Sequence, residues 1–209
     1  WDVREETVKK DDAYIAFLSE AIADCGILAF HRMVPVTAKI AKTNIPGITF
    51  LRNYLMKDGA VRTNPAAQDP DVERPFGTVD DEFQVMFFFD ENENPIASIS
   101  NFSCHHCVAN CPEFCADYSA VMAKELKKHF GIDYISLMLS GCSGNLNHFD
   151  HFAKDWTRGA TKTPRYVQIG KVLAENAIKL FGKAKAVSLD SLSAEKEVMM
   201  LKRREVPKD

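Results

Sequence analysis

Several things are missing from this sequence, and each absence narrows the field. No apolar run approaches the eighteen or so residues that cross a bilayer, so no transmembrane segment is expected. No internal repeat and no low-complexity tract is visible, which argues against solenoids and disordered arrays. Charge of one sign is not in excess: the net charge is -3 and the pI about 6.1, which gives no reason to expect nucleic acid or an anionic membrane as partner. No secretory signal is visible, and the chain opens Trp-Asp-Val rather than with Met, so targeting is silent. Six cysteines in 209 residues do not make a small disulfide-dense scaffold and fit either a reducing or an oxidising compartment. What is present is ordinary. Hydrophobic content of 46% and charged content of 26% describe a globular protein with enough apolar material for a core.

Periodicity then divides the chain. Apolar residues at helical spacing (Tyr14, Phe17, Leu18, Ala21, Ile22, Cys25, Leu28, Ala29) predict a helix over 11–32, with Asp11 and Asp12 suited to its N-terminal dipole. A short strand is expected over 34–40. Residues 43–75, rich in Gly, Pro, Asn and Asp, predict a long irregular excursion with a turn at Lys57-Asp58-Gly59. Runs at 83–89 and 96–104 flank a turn at 90–95 and read as a β-hairpin. Helices are expected at 117–130, stopped by Gly131, and at 164–181. A fully apolar strand is expected at 134–139 and a last strand at 197–201. The strand–helix alternation gives an α/β class: a mixed sheet with flanking helices, in a single region over 1–209. The abrupt opening, and a close on Lys-Arg-Arg-Glu-Val-Pro-Lys-Asp without a further element, lead to the expectation of a central part of something longer, incomplete at both ends.

Two segments carry chemistry. CHHCVANCPEFC gathers four of the six cysteines and two of the six histidines within residues 104–115. The sulfur spacing is adequate for a metal or iron–sulfur cage, yet all four thiols sit on one connector between a strand and a helix. A local disulfide, or small buried hydrophobes, are equally open readings. The histidines say more. On extended backbone His105 and His106 point to opposite faces, so at most one of them faces a given site. The second segment, SGCSGNLNHFDHF over 140–152, follows an apolar strand and presents polar groups at a sheet's carboxyl edge. Its Gly141-Cys-Ser-Gly144 turn fails the nucleophile-elbow pattern because the second glycine comes one residue early. His148, Asp150 and His151 are candidates for metal binding or for capping. In a third, more ambiguous stretch, 50–65, Arg52 can hold an anion or a carbonyl, while Lys57 and Arg62 read as solvated.

In order and spacing, FLRNYLMKDGAVRTNP, ERPFGTVDDEFQVMFFFDENENPIASISNFSCHH, CADYSAVMAKEL, LSGCSGNLNHFD and RYVQIGKVLAENAIKL resemble the catalytic region of the neutral/alkaline (non-lysosomal) ceramidase family. The resemblance runs from the helix near Tyr14 to the closing Lys-Arg-Arg and is strongest to the bacterial branch. It implies a zinc-dependent amide hydrolase acting on a lipid or other small-molecule N-acyl substrate, secreted or periplasmic. In the family pattern a strand ending in an aromatic and two small residues presents a zinc-binding His. That pattern falls on Phe102-Ser103-Cys104-His105, and the remaining zinc ligands belong to regions this sequence does not contain. The resemblance also places Asp117 near the mouth of a substrate site and Arg52 in the loop lining it. One departure is central. The family's Gly-Asp-x-Ser-Pro, with its serine nucleophile, is replaced here by Gly144-Asn145-Leu146-Asn147-His148. Asn147 has no hydroxyl to attack with, so the expected nucleophile is water activated by metal, with Asn147 donating to an oxyanion and His148 relaying protons. The alternative is an inactivated domain that keeps the fold and binds a lipid or glycan.

Overall fold

The computed structural model describes residues 11–109, 111, 114–152, 163–191 and 193–202. They fall into two units, one holding the first helix and the other running from Thr37. The first unit is α1 (Asp12–His31), and Asp11 caps it by accepting from the Tyr14 backbone N–H at 2.9 Å. None of its residues is buried, and its mean hydropathy is 1.6. By length and composition α1 is therefore long and apolar enough to cross a membrane, which corrects the sequence reading that no stretch approaches that limit. The acidic residues interspersed in the helix hid this: Glu20 and Asp24 break every uninterrupted apolar run without lowering the mean enough.

In the second unit the elements are β1 (Thr37–Asn44), β2 (Phe50–Leu51), β3 (Asn53–Met56), β4 (Val61–Thr63), β5 (Val72–Pro75), β6 (Glu82–Phe89) and β7 (Pro95–Phe102). They are followed by α2 (Asp117–Phe130), β8 (Ile135–Ser140), β9 (Leu146–Asn147), α3 (Arg165–Phe181) and β10 (Lys185–Val187). The main sheet has the order β10-β1-β6-β7-β8, with every pairing antiparallel except β7 with β8. The α/β class with a mixed sheet and flanking helices is as expected. So are the hairpin, α2, β8 and α3, to within a residue or two at their ends.

Alternation in β6 explains where the core lies. Phe83, Val85, Phe87 and Phe89 all point to one face and are buried, as does Phe102 from β7. Against that face pack Tyr118, Met122 and Leu126 of α2, and Ile169, Leu173, Ala177 and Leu180 of α3. The opposite face of β8 leaves Ile135, Leu137 and Leu139 more than half exposed. The two helices approach closely at Gly170, where a Cβ would meet the Tyr118 carbonyl oxygen at 2.6 Å and the Val121 Cβ at 2.5 Å.

Two expectations are corrected. The excursion over 43–75 contains four short strands: β4-β3-β5 form a small antiparallel sheet, and β2 pairs with the distant β9. These strands run two to four residues, too short for period-two alternation to register. The turn within them is as read, with Gly59 at φ 82 donating to the Met56 carbonyl at 2.9 Å. The strand expected over 197–201 is absent, and those residues are exposed. The sheet edge beside β1 is occupied instead by β10, which leaves α3 directly and pairs Ala38 with Val187. Arg203 and Arg204, in the closing basic segment, lie outside the described residues.

Gly170 gives the first test. Gly170→Ala in the full-length protein is expected to cost about 1–3 kcal/mol, because the carbonyl it meets cannot move aside. A urea midpoint equal to or above wild type, as helix propensity alone would give, contradicts the close crossing.

Candidate functional site

Parallel pairing decides where the chemistry gathers. Because β7 and β8 run the same way, with Phe102 opposite Ser140, the segments leaving them emerge side by side at one edge. The His105 segment and the Asn147 segment are therefore neighbours. Contact between the exits is tight. Gly141 donates to the Phe102 carbonyl at 3.0 Å, and a Cβ there would lie 2.5 Å from the Ser103 Oγ. Pairing of β2 with β9 then brings Arg52 alongside, its backbone N–H donating to the Asn145 carbonyl at 3.0 Å.

The result is a cleft of about 340 Å³ lined by Arg52, Asn64, Pro65, Ala67, His105, Cys107, Asn147, Phe149 and His151. No acidic side chain is among these lining residues. A larger and more open recess runs along α2, but it offers lysines and alanines and no group suited to catalysis. Of the five residues singled out from sequence, His105, Arg52 and Asn147 meet in the cleft. The His105 Nε2 and the Arg52 Nε are buried and have no hydrogen-bond partner among the described residues. Asn147 donates through Nδ2 to the Asn64 Oδ1 at 2.9 Å and accepts from the His148 backbone N–H at 3.0 Å.

His106 turns away, as alternation requires. It stacks on Tyr118 with ring centroids 4.3 Å apart and pairs with the Ser119 hydroxyl. Burial lowers its pKa, against an opposing push from Asp117. His148 and Asp117 do not line the cleft. The His148 carbonyl accepts from Arg165, and its ring meets Phe149 edge-on. Asp117 is buried, at φ 54, with its carboxylate accepting from the backbone N–H groups of Val108 and Ala109 (2.8 Å each) and Tyr118 (2.7 Å). The bonds from Val108 and Ala109 tie the segment after His105 to the start of α2. Aspartate tolerates the left-handed conformation better than most residues.

Sequence reasoning did not single out Asn64, weighed Cys107 only as one thiol of the 104–115 cluster, and left His151 as one of several candidates. His151 is only 5% exposed, and both its ring nitrogens lack partners among the described residues. Tyr54 and Phe149 hold the ring, at centroid distances of 4.9 and 4.8 Å. Burial pushes its pKa down, and the neighbouring Asp150 pushes the other way. The only advance signal was position, since His151 follows the polar turn that closes β9. Choosing it over His148 needed the path of the chain.

The sulfur cluster does not form a cage. Among the described residues Cys25, Cys104, Cys107, Cys115 and Cys142 are free thiols, and no three His, Cys, Asp or Glu side chains converge as metal ligands. Cys104 is buried, and its thiol is pushed up to about 12 by burial first and by Asp117 and Cys107 next. It is inert at neutral pH.

With this geometry in hand, likeness to solved structures is informative. No protein-family model and no curated protein matches the sequence. The structure superposes on neutral ceramidase from Pseudomonas aeruginosa with a TM-score of 0.61 at 15% identity, over 80% of this chain and 26% of that one. A ceramidase complexed with C2 gives a TM-score of 0.55 at 15% identity, over 76% and 24%. The fold is that of part of a neutral ceramidase. The chain spans about a quarter of the length of each of these ceramidases.

Two measurements check the site's construction. Asp117→Ala leaves three backbone donors without their acceptor, so a loss of about 1–3 kcal/mol is expected, with faster amide exchange at Val108 and Ala109. Unchanged exchange there removes the loop-pinning role. His151 has a folded pKa below the ordinary imidazole value of 6.5. Its burial therefore contributes stability that is complete above that value and is lost as pH falls through the lower folded value. An NMR titration of its ring is expected to give a midpoint under 6.5, and a midpoint above it overturns this account.

Proposed function

We propose that this chain carries the site-bearing part of a zinc-dependent hydrolase of the neutral ceramidase type, cleaving the amide of an N-acyl-sphingosine-like substrate with water. The observation behind this reading is the His105 Nε2. It is a buried imidazole nitrogen without a partner among the described residues, on a residue that lines a polar cleft at the carboxyl edge of parallel strands, on a ceramidase fold. An orphaned imidazole nitrogen fits a metal ligand, since the energetic cost of leaving it unpaired disappears once it coordinates. One His is too few to hold zinc, so the remaining ligands come from outside the described residues, as the family resemblance implies. Zinc supplies Lewis acidity toward a carbonyl oxygen and acidifies water.

This chain's own residues then have distinct tasks. Arg52 orients the acyl oxygen through its unpartnered Nε. Asn147 has one amide N–H fixed by Asn64, which leaves the other to donate to an oxyanion in the cleft. Asn147 has no hydroxyl, so water is the nucleophile. His148 lies outside the lining, and a proton relay through it requires a change of side-chain rotamer. Asp117 acts on substrate binding through the loop it pins. Secretion or periplasmic export accompanies this reading.

A second reading rests on Asn145 and Asn147, which stand where the family pattern has Asp and Ser. On that reading the domain binds an N-acyl lipid or a glycan without turnover. Fatty-acid release from an N-acyl sphingosine by the full-length protein separates the two. Turnover is expected, with loss on chelation and recovery with zinc. His105→Ala is expected to lower kcat/KM at least about 100-fold, the scale on which even groups one contact removed from a metal act. Saturable binding without turnover, whatever the metal, sinks the hydrolase and leaves the binding domain.

A further inference from the structure

The metal reading leaves two lining residues of the cleft unused. Arg52 and His151 both line it and both carry buried nitrogen atoms, the Arg52 Nε and both ring nitrogens of His151, without partners among the described residues. A guanidinium nitrogen can only donate, so its missing partner must be an acceptor. Burial holds the His151 ring neutral, which supplies one N–H donor beside it. Among the described residues no Asp or Glu lines the cleft. The backbone of Arg52 is fixed by its bond to Asn145 and by the Asn64 N–H donating to its carbonyl, and the His151 ring packs against Tyr54 and Phe149. An arginine and a neutral N–H donor lining one cleft, with no carboxylate among its described lining residues, suit a planar acceptor with two oxygens and a negative charge. The cleft volume, about 340 Å³, suits a carboxylate and the first carbons behind it.

We propose that Arg52 and His151 form a carboxylate subsite beside His105, which holds the acid half of the cleaved N-acyl amide. The inference deepens the hydrolase reading and rests on it for the identity of the ligand, while the donor geometry stands by itself. Its consequence is product retention. The acid stays in the cleft after the amine leaves, so the free acid is a competitive inhibitor.

Octanoate binding to the full-length protein, measured by calorimetry after chelation, tests this without turnover and without a metal to attract the carboxylate. Saturable binding is expected for octanoate and not for octanol. His151→Leu and Arg52→Gln are each expected to weaken it about tenfold or more. Equal affinity in His151→Leu, or octanol binding as tightly as octanoate, overturns the subsite. Should that variant fail to fold, the wild-type His151 ring resonances decide: they shift as octanoate saturates, and an unmoved pair overturns the proposal. Inactive protein that still binds octanoate through Arg52 and His151 removes the hydrolase and keeps the subsite. Active protein that does not bind octanoate does the reverse.

Discussion

The site depends on how one carbonyl group is held. The Cys104 carbonyl accepts from the Tyr118 hydroxyl of α2 at 2.9 Å and from the Ser140 hydroxyl at the end of β8 at 3.1 Å. Two hydroxyls from different elements thus fix the peptide immediately before His105. Burial pushes the Tyr118 phenol pKa strongly upward, so it stays a donor at any working pH. The Val108 and Ala109 N–H groups, donating to Asp117, secure the same loop a few residues later. A histidine anchored at both ends of its peptide segment has little freedom in where its ring points. That is the preorganisation a metal or substrate group requires.

The remainder follows from topology. Only a parallel β7–β8 pair, joined through α2, delivers both chain exits to one edge, and an antiparallel neighbour would have sent the second exit to the far side of the sheet. Gly141 lets those exits touch, and Gly170 lets α3 settle against α2 so that the sheet beneath them is covered. The β2–β9 pairing is only two residues long, yet it carries Arg52 across almost one hundred positions of sequence to reach Asn145. The large aromatic core of β6, β7, α2 and α3 provides the rigid base, and the short strands serve to place side chains.

Much of this was legible in advance, and the reasons differ by segment. The hairpin, α2 and α3 show long, strong periodicity, which local sequence carries well. That one of two adjacent histidines faces the site follows from strand alternation alone, and the structure has His105 facing it and His106 turned onto Tyr118. The β2–β5 strands were not legible, because two to four residues among Gly, Pro and Asn owe their pairing to partners distant in sequence. The strand expected at 197–201 fails for the complementary reason. Apolar content alone does not make a strand when the adjacent sheet edge is already taken by β10. In the turn after β9, composition offered His148, Asp150 and His151 equally. Only the route of the backbone from Asn147 past Tyr54 sends His151 inward.

Leaving polar atoms unpaired in a buried site is costly, at about 1–3 kcal/mol for each orphaned group. Three such side chains in one cleft, Arg52, His105 and His151, are a substantial fraction of what a domain of this size typically has to spare. A protein selected for stability alone would replace them with apolar residues, as such exchanges are often neutral or favourable. On the proposed reading their missing partners arrive with a ligand, which accounts for that cost. It also explains the division of labour in the loop. Asp117 and the Cys104 carbonyl are hydrogen-bonded and hold the geometry, while Arg52, His105 and His151 in the cleft lining keep nitrogen atoms without partners among the described residues. The loss of a hydroxyl at Asn147 fits the same logic. Its amide donates to the Asn64 Oδ1 and, without a hydroxyl, offers no nucleophile of its own.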